Sequence, residues 1–267
     1  MKRNSLKTRL PGYSVLSALC LGLLLAIPAV AQDAPDDIPR MADGRPDLSG
    51  VWWGGGDVGS PAFFQRLRQL QGDEQPPSFT DLYQPWAAER AAQMSDEHDP
   101  TLGCIPTAFG TLNVRLWDAG AIGQIISTPD MVVLLSETYH GYQLVPTDGR
   151  PHRDYLPPSY RGDAVGHWEG DVFVVEVENF TDQTWIWAEG RVSFHSDALR
   201  VVERYRRVDA DTLLVDAVVE DPNVLTEPWT VPTQTLQLAP FDQLLPLICV
   251  GAEGKELMEA AAPLRTR

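Results

Sequence analysis

The sequence predicts a mainly β protein, an antiparallel barrel-like (lipocalin-like) sheet with short helices at its N-terminal side and one short C-terminal helix. Three observations predict it. From Ala121 onward, short runs of alternating or β-branched residues succeed one another. Turn signals separate them, among them TPD, TDGR, EGD, DAD and EDPN. The gaps are too short for helical crossovers, so consecutive runs pair antiparallel.

The chain opens with Lys2, Arg3, Lys7 and Arg9, an apolar run SVLSALCLGLLLAIPAV, and Ala29-Val30-Ala31 before Gln32. That is the pattern of a secretory signal peptide over residues 1–31, cleaved near Ala31. Pro28 ends the apolar run short of a membrane span, and Cys20 lies inside the apolar core between two leucines. A periplasmic or secreted location is expected, with no membrane attachment after cleavage. Residues 32–47 read as a flexible lead-in. Residues 48–267 read as one β-barrel-like domain with a helical insertion at about 60–98.

Within that domain DLSGVWW is the first strand. Ser60-Pro61 open a helix whose Phe63, Phe64, Leu67 and Leu70 recur at helical spacing. A second helix runs through PWAAERAAQM with Pro85 at its start. The expected strands are then IGQIIST, MVVLLSE, YQLVP, DVFVVEVENF, TWIWAE, LRVVERYRRV, TLLVDAVVE, WTVPTQTLQL and PLICV, with EGKELMEAAA as the last helix. WEGD is the tight connection that feeds the DVFVVEVENF strand.

The formal net charge is −16, and removing the four basic residues of the leader takes it to −20. Such a surface repels phosphate backbones and anionic membranes, which argues against nucleic-acid and lipid-surface partners. Cys104 and Cys249 remain after processing. In an oxidising compartment a pair so far apart in sequence reads as a disulfide, and the long loop it closes corresponds to about 4–5 kcal/mol of chain-entropy stabilisation.

Some motifs are decoys. GGGDVG (54–59) fits the spacing of a dinucleotide loop, but GDEQPPSF follows where a second parallel strand should stand. RGD (161–163) is three common residues in a turn. The chain has no G-x-S-x-G, H-E-x-x-H, C-x-x-C or phosphate-loop motif, and its five histidines share no ligand spacing. No metal or cofactor is expected.

Chemistry is expected where alternation turns a polar group inward. In LRVVERYRRV one face carries Leu199, Val201, Glu203, Tyr205 and Arg207, while Arg200, Arg204 and Arg206 take the other. A carboxylate on the apolar face is either paired or shifted toward a pKa useful for proton transfer. His195 precedes this strand and is a candidate acid–base partner for Glu203 or Asp163. His167 lies in the WEGD hairpin and His140 ends the MVVLLSETYH run. The candidate catalytic set is Asp163, His167, His195, Glu203 and Tyr205. Trp185 and Trp187 share one face of TWIW and, with His140, Tyr142, Trp168 and Phe173, are candidates to line an apolar pocket.

The blocks PDLSGVW, PWAAER, TDGRPH, GDAVGHWEGDVFVVEVENF, HSDALRVVERYRRVDADTL and PWT resemble a large, mostly uncharacterised family of exported bacterial proteins. Relatives in that family often end in a C-H-E-G-N-like segment, where this chain has Cys249-Val250-Gly251-Ala252-Glu253-Gly254. Gly50-x-Trp52 is similar to the G-x-W of the first lipocalin strand, where the Trp closes one barrel end. That resemblance implies eight to ten strands around room for one small ligand. Two functions follow from these readings. One is binding of an apolar or aromatic small molecule; the other is cofactor-independent acid–base catalysis on such a molecule by an isomerase, lyase or hydrolase.

Overall fold

The computed structural model describes residues 38–54, 77–108, 122–137, 141–186 and 192–245. Nine strands form one antiparallel sheet: β1 Gly50–Trp53, β2 Gly123–Ser127, β3 Met131–Ser136, β4 Tyr142–Pro146, β5 Asp163–Glu169, β6 Val172–Glu178, β7 Arg200–Arg207, β8 Thr212–Glu220 and β9 Trp229–Leu238. Their order is β4-β3-β2-β1-β9-β8-β7-β6-β5, a meander in which β1 also pairs with β9. The sheet curls into a nearly closed barrel. At the seam the Gln143 side chain of β4 donates from Nε2 to the backbone carbonyl of Arg161, in the turn entering β5, at 3.0 Å. Gly166 of β5 leaves room there for Val145, whose Cγ1 would stand 2.8 Å from a Cβ at that position.

Strand alternation decides what lies inside. Val132 and Leu134 of β3, Val145 of β4, Phe173, Val175 and Val177 of β6, and Leu213, Val215, Ala217 and Val219 of β8 are all buried. The outer face of β5–β8 is a ladder of charges instead. Arg200 reaches Glu176, Glu178 and Glu220, and Arg204 reaches Glu169. The β8–β9 ladder slips between Val215 and Ala217, where Pro232 and Thr233 oppose Asp216 alone. A proline cannot donate to the ladder, so the bulge falls where the N–H is missing.

Trp52 is buried, donates its indole N–H to the Leu48 carbonyl at 3.0 Å and lies under the Arg207 guanidinium, 5.1 Å from the ring centre. Arg207 in turn donates to the carbonyls of Asp47, Asp209 and Ala210. The helix α1, Pro85–Ala92, begins at the expected proline. Before it, Phe79 and Tyr83 pack with Trp229 and Phe194, and the Tyr83 hydroxyl donates to the Phe194 carbonyl at 2.8 Å.

Two local expectations are corrected. TWIWAE is not a strand of the sheet where described: Trp185 makes an isolated bridge to Phe194. Asp163–Glu169, not expected as a strand, is β5; its glycine and buried aspartate hid the pattern. It pairs with β6 across the Gly170 turn, whose φ of +61° suits glycine. The helix expected from Ser60, the PLICV strand, the C-terminal helix and Cys249 lie outside the described residues, as do the residues expected to form the signal peptide.

Candidate functional site

The site is built on β7. Its alternation buries Val201, Glu203 and Tyr205 on the inner face, with Arg200, Arg204 and Arg206 outside. In the ladder Glu203 stands between Val175 of β6 and Ala217 of β8, so neither neighbour offers a counter-charge. Residues two apart on a strand share a face, and the Tyr205 hydroxyl donates to Glu203 Oε2 at 2.9 Å. Burial raises the Glu203 carboxyl to about 7; the Tyr205 hydrogen bond and the positive charge of Arg161 pull it down without cancelling that effect. Burial and the adjacent Glu203 carboxylate push the Tyr205 phenol well above its ordinary value.

Next to Glu203 is a small cavity lined by Ala108, Gln143, Arg161, Val177, Phe180, Val201 and Glu203. The space open to the centre of a water-sized sphere is about 10 Å³, the size of a single water site. Its lining combines three polar side chains, Gln143, Arg161 and Glu203, with four apolar ones. Gln143 comes from β4 and Arg161 from the turn entering β5, so the cavity adjoins the barrel seam.

The expected site residues are dispersed. Only Glu203 and Tyr205 are brought together at the cavity. Asp163 lies on the opposite face of β5, buried, accepting from the Arg153 backbone N–H (2.9 Å), from Arg153 Nε (2.9 Å) and from its NH2 group. His152 Nδ1 is 3.5 Å from the same carboxylate. Burial alone would raise the Asp163 carboxyl, but these bonds hold it below its ordinary value. His167 is half-buried on the outer face, 3.2 Å from Glu169.

His195 is buried with both nitrogens engaged. Nδ1 faces the Ser196 carbonyl at 2.8 Å and so carries the proton, which leaves Nε2 to accept from the Thr184 hydroxyl at 2.7 Å. Burial pushes its pKa down, so it is neutral. Phe180 meets the imidazole edge-on at 6.2 Å and lines the cavity; His195 does not line it.

Of the expected pocket aromatics, Phe173 is core, packed with tilted rings against Trp168 and Tyr205. Trp168 is half-buried against Phe173 with the Arg45 guanidinium 5.9 Å from its ring. Trp185 is buried beside Ala108, accepting its backbone N–H at 2.9 Å. Tyr142 is 65% exposed on the outside of β4. His140 and Trp187 lie outside the described residues.

Sequence reasoning missed Gln143 and Arg161. Arg161 was hidden in the RGD turn, where Gly162 adopts φ +67° against the Glu178 carbonyl and Asp163 is buried. Gln143 gave no signal within its own strand; its pairing with the fully buried Leu134 is what turns it inward. Among the described residues no group of three or more His, Cys, Asp or Glu is placed to hold a metal, and no helix is long and apolar enough to cross a membrane. Comparison of the chain with protein-family models, with curated proteins and with solved structures finds no match.

Proposed function

We propose that this protein is an exported small-molecule-binding β-barrel whose ligand is anchored at Glu203. The observation that carries the reading is the Glu203 carboxyl itself. It is fully enclosed, faces inward on a barrel strand and borders a cavity, although a filled core would serve folding better with an apolar residue there. The ligand has a polar group for Glu203 and an apolar part for Val177, Phe180 and Val201, in keeping with the apolar or aromatic class expected from the sequence. Export, and kinship with the exported bacterial family, rest on the leader pattern and the sequence blocks. A Cys104–Cys249 bridge belongs to the same reading, resting on the two cysteines that remain after processing.

Native mass spectrometry of the protein purified from its own host's periplasm tests the proposal. A co-purifying molecule of defined mass is expected, lost in Glu203→Leu while the variant keeps its circular dichroism. An unliganded wild-type protein, with no small molecule retained from the host extract, overturns it.

A second reading is acid–base catalysis. It is favoured by a carboxyl that titrates near 7 beside a cavity, with Tyr205 as its hydrogen-bond donor. Turnover of the co-purifying molecule that is abolished in Glu203→Gln supports it. Turnover unchanged in that variant removes Glu203 from the chemistry.

A further inference from the structure

We infer that the outer face of β2–β4 joins two copies of this chain in a symmetric dimer. This face lies on the other side of the strands from the Glu203 cavity, so the contact is independent of what that cavity binds.

The alternation that turns Val132, Leu134 and Val145 into the core turns a second apolar set outward. One row across the three strands is Ile126, Val133 and Leu144, and the next is Gln124, Leu135 and Tyr142. Tyr142, Leu144 and Ile126 are 65%, 48% and 41% exposed, and Val133 and Leu135 are half-buried. The segment after β9 borders these rows. It passes Trp53, whose ring meets Phe241 edge-on, and reaches the end of β3, where the Leu245 N–H donates to Glu137 Oε1 at 2.5 Å. Phe241 and Leu245 are themselves exposed. Neither row carries a charge, whereas the outer face of β6–β8 presents Glu176, Arg200, Arg204, Arg206 and Glu220. A sheet face that meets water ordinarily alternates to polar residues, as β6–β8 do and β2–β4 do not.

Charge, area and shape select a second copy as the occupant. The chain has a formal net charge of −16, so a basic partner is drawn to its carboxylates and an anionic membrane is repelled. An uncharged apolar face is complementary to another such face, and a second copy supplies one. Repulsion between the copies is weak there. β7, with Arg200 and the glutamates around it, stands four strands from β3 across the seam and five the other way. Nine strands about 4.8 Å apart close a ring roughly 14 Å across, beyond the Debye length of about 8 Å at physiological ionic strength. Asp130 in the β2–β3 turn and Asp242 beside Phe241 stand at the margin, where an interface has its polar rim.

The exposed and half-buried side chains of the face offer on the order of 600 Å², the upper end for the largest patch on a monomer. With the surrounding rim this approaches the area of about 800 Å² that each partner gives to a standard interface. Two twisted sheet faces pack about 10 Å apart with strands crossing near 30°. In that arrangement the two rows of one copy interdigitate with the same rows of the other about a two-fold axis.

The test is sedimentation equilibrium of the purified protein from about 1 to 100 µM, in about 0.05 and 0.5 M NaCl. A monomer–dimer equilibrium is expected that tightens in the higher salt, because screening removes repulsion between two acidic bodies and no ion pair holds the contact. Leu144→Lys should weaken the dimer at least tenfold, since it puts two like charges into an apolar contact. It also lowers the net negative charge, so repulsion between the acidic bodies does not account for the loss. Ala88→Lys, on the exposed side of α1, makes the same charge change outside the face and should leave the dimer unchanged. Tyr142→Ser, at the most exposed position of the rows, should weaken the dimer without adding charge. Circular dichroism identical to wild type checks that each variant folds.

A wild-type protein that stays monomeric at about 100 µM overturns the inference, whether its own C-terminal residues or another protein covers the face. So does a dimer that loosens in salt, or one that Leu144→Lys and Tyr142→Ser leave at wild-type affinity.

Discussion

The Tyr205 hydroxyl donates to Glu203 Oε2 at 2.9 Å, two residues along a single strand, with neither residue more than 3% exposed. Both groups prefer to keep their protons in this setting, and their ladder neighbours, Val175 and Ala217 for Glu203 and Phe173 and Val215 for Tyr205, are all apolar. The pair marks the one place on β7 where the inner face departs from apolar packing before Arg207 at its end.

Glu203 makes stability fall as pH rises. The folded protein holds the proton up to about 7, whereas the unfolded chain releases it near 4.5, so between those values the folded state binds more protons. The contribution lost across the window is on the order of 3 kcal/mol. Glu203→Gln lacks it, so the difference between variant and wild type should move in the variant's favour from pH 5 to pH 8 and level off above 7. Urea unfolding at four pH values measures this; a constant difference would place the Glu203 carboxyl at an ordinary value.

Tyr205→Phe removes the only hydrogen bond described for Glu203, at a cost of about 1–2 kcal/mol. That bond favours the ionised carboxylate, so its loss should move the Glu203 titration upward. The carboxyl stretch in infrared difference spectra, with Glu203→Gln for assignment, gives the midpoint. An unchanged or lower midpoint contradicts the geometry.

Asp163 acts in the opposite sense. Its folded carboxyl lies below the unfolded value of about 3.8, so the stabilisation is present above that pH and is lost as pH falls through the folded value. Asp163→Asn should cost about 2 kcal/mol at pH 7, less than a fully enclosed pair because the Arg153 side chain is partly in water. The gap from wild type should close in acid unfolding below pH 4. A gap that persists at pH 2 would mean the carboxylate's charge is not what the Arg153 contacts require.

Gly166→Ala tests the seam. The added methyl would stand 2.7 Å from the Phe173 ring and 2.8 Å from Val145, both in the core, so overpacking should cost about 1–3 kcal/mol. At Gly170 the added methyl meets nothing within 4 Å, and Gly170→Ala should cost only its left-handed backbone, about 1 kcal/mol. Thermal melts compare the two directly. A Gly166→Ala protein as stable as Gly170→Ala would show that the seam gives way freely.

Much of the barrel was legible because alternation is a strict code. LRVVERYRRV placed Leu199, Val201, Glu203, Tyr205 and Arg207 together, and all five are buried. YQLVP shows where the code has two solutions. Hydrophobicity favours Tyr142 and Leu144 as the inner set, but pairing with Val132 and Leu134 turns Gln143 and Val145 inward and leaves Tyr142 and Leu144 in water. A short strand cannot settle its own facing; its neighbour does. The candidate site was half legible for a related reason. Glu203 and Tyr205 follow from one strand's period, whereas Arg161 and Gln143 arrive across a seam that no local pattern encodes. His195 attracted attention by type, and its two nitrogens turned out to be occupied by Ser196 and Thr184.

The meander has a kinetic consequence. Within β1–β9 each ladder joins strands adjacent in sequence, except that between β1 and β9, where Trp52 pairs with Leu238 and Trp53 with Gln237. Hairpins such as β5–β6 and β7–β8 close over short loops at little entropic cost, while the β1–β9 ladder must bring together the two ends of nearly the entire barrel. Strand-by-strand growth can therefore run ahead of circular closure, and substitutions that weaken the β1–β9 ladder should slow the last folding phase and leave the hairpin phases untouched.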